Sequence, residues 1–323
     1  MLFSASLAFC VSLLCLLILL SRPVRHLALD RPNERSLHAR PVPRTGGLAI
    51  LAGSAVALHW VGPHERSLLL IAFGLAALSL ADDVCGLPAG VRLASHLAAA
   101  AAAVAVAVPQ AGPLLFVGLL LGIGWLTNLY NFMDGSDGLA GGMAVAGFGS
   151  FALAAHLGGA DALALACAML AASALAFLLF NFHPARIFMG DVGSIPLGFL
   201  CGALGASGWQ AGVWPFWFPV LVFSPFAADA SFTLGKRLLR REKVWQAHRD
   251  HYYQRLVRMG LGHRNTALAE YALMAASAAT ALAVYRAAPG LQAGVLAAAF
   301  AGYVALAWWI DARWSRYGAE RAR

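Results

Sequence analysis

An all-α polytopic membrane fold is predicted by this sequence. The chain is 60% hydrophobic and only 12% charged, where an average soluble domain is about half apolar and about a quarter charged. The apolar residues are gathered into blocks rich in Leu, Ala, Val and Phe, with short polar breaks between them. That is the pattern of helices that must satisfy their own backbone in lipid. The Lys and Arg residues fall almost entirely in alternate breaks. A single large soluble α/β domain is the competing class, and the uneven distribution of apolar residues argues against it.

Eleven spans are expected, with the N-terminus outside: Leu2–Leu20, Gly47–Val61, Leu68–Ala81, Ala94–Val108, Leu114–Thr127, Leu139–Leu157, Asp161–Phe180, Ile195–Trp209, Val213–Phe232, Ala267–Tyr285 and Leu291–Ile310. The blocks starting at Gly47, Leu68, Leu114 and Ile195 are short against the usual ~17–25 residues, so their helices should run on into the polar breaks. The first block lacks a basic start and a small-residue cleavage site, and reads as a retained span. No hydrophilic stretch is long enough for a second unit, so residues 1–323 are expected to form one integral-membrane domain.

The breaks themselves give the orientation. Ser21–Gly46, Asp82–Leu93, Asn128–Gly138, Asn181–Ser194, Thr233–Thr266 and the tail Asp311–Arg323 together hold 21 of the 23 Lys and Arg. Only Arg66 and Arg286 fall in the other set. The Lys/Arg excess marks the cytoplasmic side, which puts the C-terminus and every polar cluster below on that side. The net charge of +8 then reads as topology and attraction to anionic lipid heads. No nucleic-acid motif accompanies it. The Trp residues near the block ends (Trp209, Trp214, Trp217, Trp308, Trp309, Trp314) read as an interfacial belt. The five cysteines are scattered, form no CxxC pair and read as small apolar fillers. No internal repeat is visible.

Four polar clusters interrupt this background. The stretch Asn128–Ala140 carries Asn128, Asn131, Asp134 and Asp137. Spacing by three puts Asn128, Asn131 and Asp134 on one helical face, and Gly135 and Gly138 then break the helix. Ionisable groups placed among apolar residues mark a functional site by default. Carboxylate and amide oxygens are hard ligands that suit Mg2+, with substrate phosphate completing the shell. Asp82 and Asp83 are adjacent carboxylates that repel unless a cation or proton intervenes. Phe188-Met-Gly-Asp191-Val-Gly-Ser194 places one carboxylate between two glycines that permit a tight turn with N–H groups facing an anion. The long basic loop holds Lys236, Arg237, Arg240, Arg241 and Lys243, then His248-Arg249-Asp250-His251. Positive-inside charge accounts for the first five residues but not for the His-Arg-x-His group, whose guanidinium matches phosphate oxygens. Carboxylates for a divalent ion and Arg/His for phosphate, all on one face, are what joining a soluble phosphate-bearing donor to a membrane-embedded acceptor requires.

The chain resembles the polyprenyl-phosphate N-acetylhexosamine-1-phosphate transferases, glycosyltransferase family 4 (the MraY/WecA/WbpL group), over nearly its whole length. The matching marks are Pro43-Arg-Thr-Gly-Gly47, Asp82-Asp83 followed by Arg92-Leu93, Asn128-x-x-Asn131-x-x-Asp134-Gly-x-Asp137-Gly-Leu139, Phe188-Met-Gly-Asp191-x-Gly-Ser194 and His248-Arg-x-His251-x-Tyr-Gln-Arg-Leu256. The resemblance implies transfer of a sugar 1-phosphate from a UDP-N-acetylhexosamine donor to a polyprenyl (undecaprenyl) phosphate acceptor with release of UMP. It also implies Mg2+ as cofactor, with Mn2+ as a stand-in, a multi-pass location in the bacterial inner membrane, and room for a homodimer.

Carried over position by position, Asp191 is the main metal ligand with Asn131 assisting. Asp82 deprotonates or orients the lipid phosphate, with Asp83 beside it. Asp134 is a second essential carboxylate. Phe188 and Asp137 meet the uracil end, and His248, Arg249 and His251 hold the diphosphate or sugar. Asn128 and Arg92 count with the substrate-binding set. The peptidoglycan branch of the family carries a Lys soon after its paired Asp and a run of His in the last loop. Here Val84-Cys85 follows the pair. The chain therefore resembles the branch that starts O-antigen or other surface glycans more than a phospho-N-acetylmuramoyl-pentapeptide transferase. Outside enzymes, a secondary transporter is the alternative, but transporters bind near the bilayer midplane between repeats, whereas these acids sit at span ends.

Overall fold

A computed structural model describes all residues except 27, 31, 33–36, 38–39, 245, 247 and 322–323. The described chain is a bundle of α-helices with one short antiparallel hairpin, β1 (Leu29–Asp30) and β2 (Val42–Pro43), in which Leu29 pairs with Pro43 and Asp30 with Val42. Among the described residues, nine helical segments are long and apolar enough to cross a membrane. They are α1 (Leu2–Leu19), α3 (Pro63–Cys85), α4 (Ala89–Ala107), α5 (Pro113–Met133), α6 (Leu139–Leu157), α7 (Asp161–Asn181), α8 (Asp191–Gln210), the joined α11 (Tyr252–Leu256) and α12 (Gly262–Val284), and α13 (Pro289–Arg321). Two expected spans are irregular. α2 (Gly46–Ala55) is short and ends in a 3-10 turn over Val56–His59, and the ninth is broken at Phe223 into α9 (Trp217–Val222) and α10 (Ser224–Leu239).

Three of the four short blocks extend as expected, in α3, α5 and α8, whereas the block starting at Gly47 does not lengthen; the extension relocates polar residues. Asp82 and Asp83 lie on the last turn of α3, and Asn128 and Asn131 lie on α5 rather than in a loop. Cys167 and Cys201 are buried in the bundle, whereas Cys10 and Cys85 face outward.

α8 is the axis of the bundle. It is buried along 94% of its membrane-length window, against 22% for α1 and 11% for α13. Small residues make that burial possible. A Cβ on Gly198 would stand 2.6 Å from the carbonyl oxygen of Leu126 and 2.7 Å from Cβ of Tyr130, so α5 rests directly on the α8 backbone. The outward faces carry Leu, Phe, Val and Trp side chains such as Leu114, Leu121, Leu179 and Trp308, the reverse of a water-facing surface and the composition of a lipid-facing one. Because successive spans run in opposite directions, the C-terminal ends of α3, α5, α7 and α10 and the N-terminal ends of α2, α6, α8 and α12 gather at one end of the bundle. Every polar cluster singled out in the sequence sits there.

Candidate active site

Two segments far apart in sequence are joined by main-chain bonds at that end. Phe188 N–H donates to the Pro43 carbonyl (2.7 Å), Gly46 N–H to Phe188 (2.9 Å) and Gly47 N–H to Met189 (2.9 Å). The segment Pro43–Gly47, from the end of β2 into the first turn of α2, is thus bonded to the turn that leads into α8, and Gly47 packs against Gly193. Gly190 turns the chain at φ 71°, a region that favours glycine, and Asp191 is the first residue of α8. Its carboxylate meets the positive end of the helix dipole. Asn131 Nδ2 donates to Asp191 Oδ1 (2.9 Å) and to Ser194 Oγ (2.9 Å). Expected as a ligand, Asn131 instead turns its amide nitrogen to the carboxylate and fixes that group's orientation.

Asp134 caps α5 and accepts a bond from the Gly190 N–H. Its carboxyl is pushed well above the usual carboxylate range, first by loss of water around it and then by the charge of Asp191. Asp83 also faces the charge of Asp191 and is paired with Arg44 at 2.9 Å. Asp134 and Asp191 line a cavity of about 260 Å3 together with Arg44, Asn131, Asp137 and Phe188, and Asp83 is linked to it through Arg44.

No three His, Cys, Asp or Glu side chains among the described residues form a set that holds a metal ion by itself. The two carboxylates Asp134 and Asp191 on one cavity fit the needs of Mg2+, which usually takes one or two carboxylates and completes its octahedron with water and substrate phosphate. A divalent cation between these two side chains would relieve the crowding of the Asp134 carboxyl by the charge of Asp191.

The other expected site residues are placed as follows. Asp82 accepts from the Leu87 N–H (2.6 Å) and from Arg92 (3.1 Å), so this pair ties the α3–α4 turn, and Arg92 points to Asp82. Asn128 bonds His96 (3.2 Å) and the Gly124 carbonyl (2.8 Å); it pins α5 to α4 and does not line the cavity. Phe188 lines the cavity. Asp137 lines it too, bonded to His183 Nδ1 (2.6 Å) and the Ala185 N–H (3.1 Å). His248, Arg249 and His251 stand outside the lining, behind the Phe132–Gly135 turn. His251 stacks on His248 (4.9 Å) and on Tyr253 (5.9 Å), and the Tyr253 hydroxyl donates to the Phe132 carbonyl (3.2 Å). Burial, then the neighbouring His251 and Arg237, lower His248 to about 4, so it is a neutral imidazole at neutral pH.

Sequence reasoning missed several groups that hold this arrangement. Asp229 on α10 accepts from His251 Nδ1 (3.1 Å), Thr233 (3.2 Å) and the N–H groups of Tyr252 (3.0 Å) and Tyr253 (2.9 Å), fixing α11 in place. Asn181 bridges the Gly138 N–H (3.0 Å) and the Ile187 carbonyl (2.9 Å). His263 stacks flat on His183 (5.6 Å) and bonds Ser136 (2.9 Å). Gln254 lines the cavity from α11. A signal for Asp229 was present, since it is a lone carboxylate inside the block Val213–Phe232 and such residues mark function by default.

Residues 66–208 match the family model described as Glycosyl transferase family 4. The chain is 32% identical over 288 residues to a "Probable undecaprenyl-phosphate N-acetylglucosaminyl 1-phosphate transferase" of Bacillus subtilis (strain 168), covering 82% of this chain and 80% of that protein. It is 30% identical to a "Decaprenyl-phosphate N-acetylglucosaminephosphotransferase" of Mycolicibacterium smegmatis, covering 77% and 73%. A "Phospho-N-acetylmuramoyl-pentapeptide-transferase" of a Wolbachia strain is 30% identical over a shorter stretch, 56% of this chain. With its acidic cavity at one end of an apolar bundle, the chain belongs to glycosyl transferase family 4, the polyprenyl-phosphate N-acetylhexosamine-1-phosphate transferases.

Proposed function

We propose that this protein transfers N-acetylglucosamine 1-phosphate from UDP-N-acetylglucosamine to undecaprenyl phosphate, releasing UMP, in the bacterial inner membrane. The observation that carries the reading is that Asp191 and Asp134 line one cavity at the end of a membrane bundle, with Asp83 paired to Arg44 of the same lining. The names of the relatives that cover most of the chain support the amino sugar and the lipid. The muramoyl-peptide name belongs to a match of lower coverage, and Val84-Cys85 after the acid pair argues the same way. The Lys/Arg distribution supports eleven spans, an outside N-terminus and a cavity open to the cytoplasm.

In this mechanism an oxygen of the lipid phosphate attacks the β-phosphorus of the donor. The new bond is the lipid diphosphate, and the bond broken is the one to the bridging oxygen, which leaves with UMP. Asp191 and Asp134 would hold Mg2+, which supplies the positive charge that lets two anionic phosphates approach. Asn131 and Ser194 keep the Asp191 carboxylate aimed into the cavity. Asp83, set by Arg44, orients the incoming lipid phosphate. Phe188 and the Asp137–His183 wall receive the uracil end. The N-terminus of α8 adds fixed positive dipole beside the phosphates. The product would begin an O-antigen or another surface glycan.

The test is a panel of labelled UDP-sugars given to purified protein with undecaprenyl phosphate and Mg2+, scored for labelled lipid and UMP. UDP-N-acetylglucosamine should give the most product, and chelation should abolish it. Absence of labelled lipid from every UDP-N-acetylhexosamine, or a preference for the UDP-muramoyl peptide, would refute the reading.

A further inference from the structure

The last helix is the least buried of the membrane-length helices, with 11% of its window inside the protein. Its 33 residues span about 50 Å at a rise of 1.5 Å per residue, against about 30 Å of hydrocarbon. Its final turns therefore stand clear of the lipid. There Ala307, Ile310, Asp311 and Trp314 recur at the spacing of a single helical face, and that face is occupied. Ala307 and Ile310 pack with Tyr252 of α11, flanked by Leu256 and Met259. Asp311 accepts from Arg255 Nη1 (2.7 Å) and from Lys236 of α10. The Arg255 guanidinium lies over the rings of Tyr252 (5.3 Å) and Trp314 (5.8 Å). Arg258 lies 4.7 Å over Trp314 and donates to the Arg249 carbonyl (3.1 Å).

An interfacial Trp and scattered cytoplasmic charge would explain Trp314 and the arginines separately. They do not explain why the Arg255 side chain is only 7% exposed with its charge on an α13 carboxylate. A guanidinium so far out of water is held in one geometry by its partners.

We propose that Asp311 and Trp314 are positioning residues for the candidate active site. They grip Arg255 and Arg258 and so clamp the His248–Gln254 segment against the Phe132–Gly135 turn that leads into Asp134. Asp229 of α10 anchors the first N–H groups of α11, and Asp311 of α13 fastens its last turn through Arg255. The Asp311 side chain is 30% exposed, so water screens its ion pairs and their effect is orientation more than stability. The proposal rests on the transferase reading of the cavity, and the experiment separates the two.

Full-length protein in lipid nanodiscs is compared as wild type, Asp311→Asn, Asp311→Glu, Trp314→Ala and the exposed control Arg316→Ala. Amide hydrogen exchange over residues 252–256 should quicken by about tenfold in Asp311→Asn and Trp314→Ala while the membrane helices stay protected. In turnover assays the KM for UDP-N-acetylglucosamine should rise by about tenfold in those two variants, with the KM for the lipid acceptor unchanged. Asp311→Glu and Arg316→Ala should stay near wild type in both measurements. Unchanged exchange in both Asp311→Asn and Trp314→Ala overturns the clamp, whatever their activity. Losses in Asp311→Glu equal to those in Asp311→Asn, tracking the thermal midpoint, overturn it as well. An inactive wild type would sink the transferase reading and leave hydrogen exchange to decide the clamp.

Discussion

Replacing Gly193 with alanine tests the idea that the site depends on two backbones in direct contact. Gly193 lies in the first turn of α8, two residues after Asp191. A Cβ added there would stand 2.6 Å from Cα of Gly47 and 2.5 Å from Cγ of Met189. The methionine end can swing away, but the Gly47 Cα cannot, because its segment is tied to Phe188 and Met189 by main-chain bonds. Ordinary contact begins at 3.4 Å, so the α2 and α8 termini must part by about 0.8 Å.

Helix propensity alone would favour alanine by about 1 kcal/mol. Overpacking costs about 1–3 kcal/mol, so net stability should fall by no more than about 2 kcal/mol. The shift at the reacting groups matters more, since misplacement by about 1 Å can cost about a hundredfold in rate. Gly193→Ala should therefore give folded protein with kcat/KM for the UDP-sugar reduced by about 10- to 100-fold. Gly149→Ala, which meets no atom within 4 Å, should match wild type. The assay is UMP release alongside a thermal unfolding curve. Activity of Gly193→Ala within twofold of wild type would refute the reasoning, and so would an equal loss in Gly149→Ala.

Three further outcomes are expected. Asp191→Asn preserves shape while deleting the charge, and should lower Mg2+-dependent turnover by about a hundredfold or more; an unchanged Mg2+ titration would end its metal role. Asp229→Ala leaves the N–H groups of Tyr252 and Tyr253 without their acceptor. At about 1–3 kcal/mol for each buried orphan, it should lose about 2–6 kcal/mol of stability, read as a lowered thermal midpoint, and a wild-type midpoint would contradict that. His248, at about 4, lies below the ordinary imidazole value of about 6.5, so between those values the unfolded chain binds the proton and the folded chain does not. Its contribution is constant above that window and turns destabilising as pH falls from about 6.5 towards 4. His248→Gln should flatten the fall of the thermal midpoint over that interval, and an identical slope in both proteins would count against it.

Individual residues show how much the sequence could reveal. The bundle was legible because apolar blocks and polar breaks follow from lipid alone, and three of the four short blocks lengthened into their neighbours. Asn131 with Asp134, and Asp191 in its own segment, were each legible because polar groups beside apolar spans are costly, and the family resemblance joined them. The splice between Pro43–Gly47 and Phe188–Met189 was not, because both segments are ordinary until they meet and no spacing links residues so distant. Asn128 and Arg92 have the chemistry of ligand groups, yet each found a nearby partner in His96 or Asp82. Side-chain type alone cannot separate those outcomes. Asp229 stood out as a lone carboxylate in an apolar block, but its partners, the N–H groups of Tyr252 and Tyr253, could not be read from that block.

The splice has a consequence for how the protein is made. Asp191 is aimed by a segment emitted long before it, so the nascent chain carries Pro43–Gly47 without its Phe188–Met189 partner until α8 has entered the bilayer. Nascent chains that stop before Phe188 should hold most of the helices yet lack any ordered acidic centre. Order there should arrive in one step, when the eighth helix docks and the two distant segments bond.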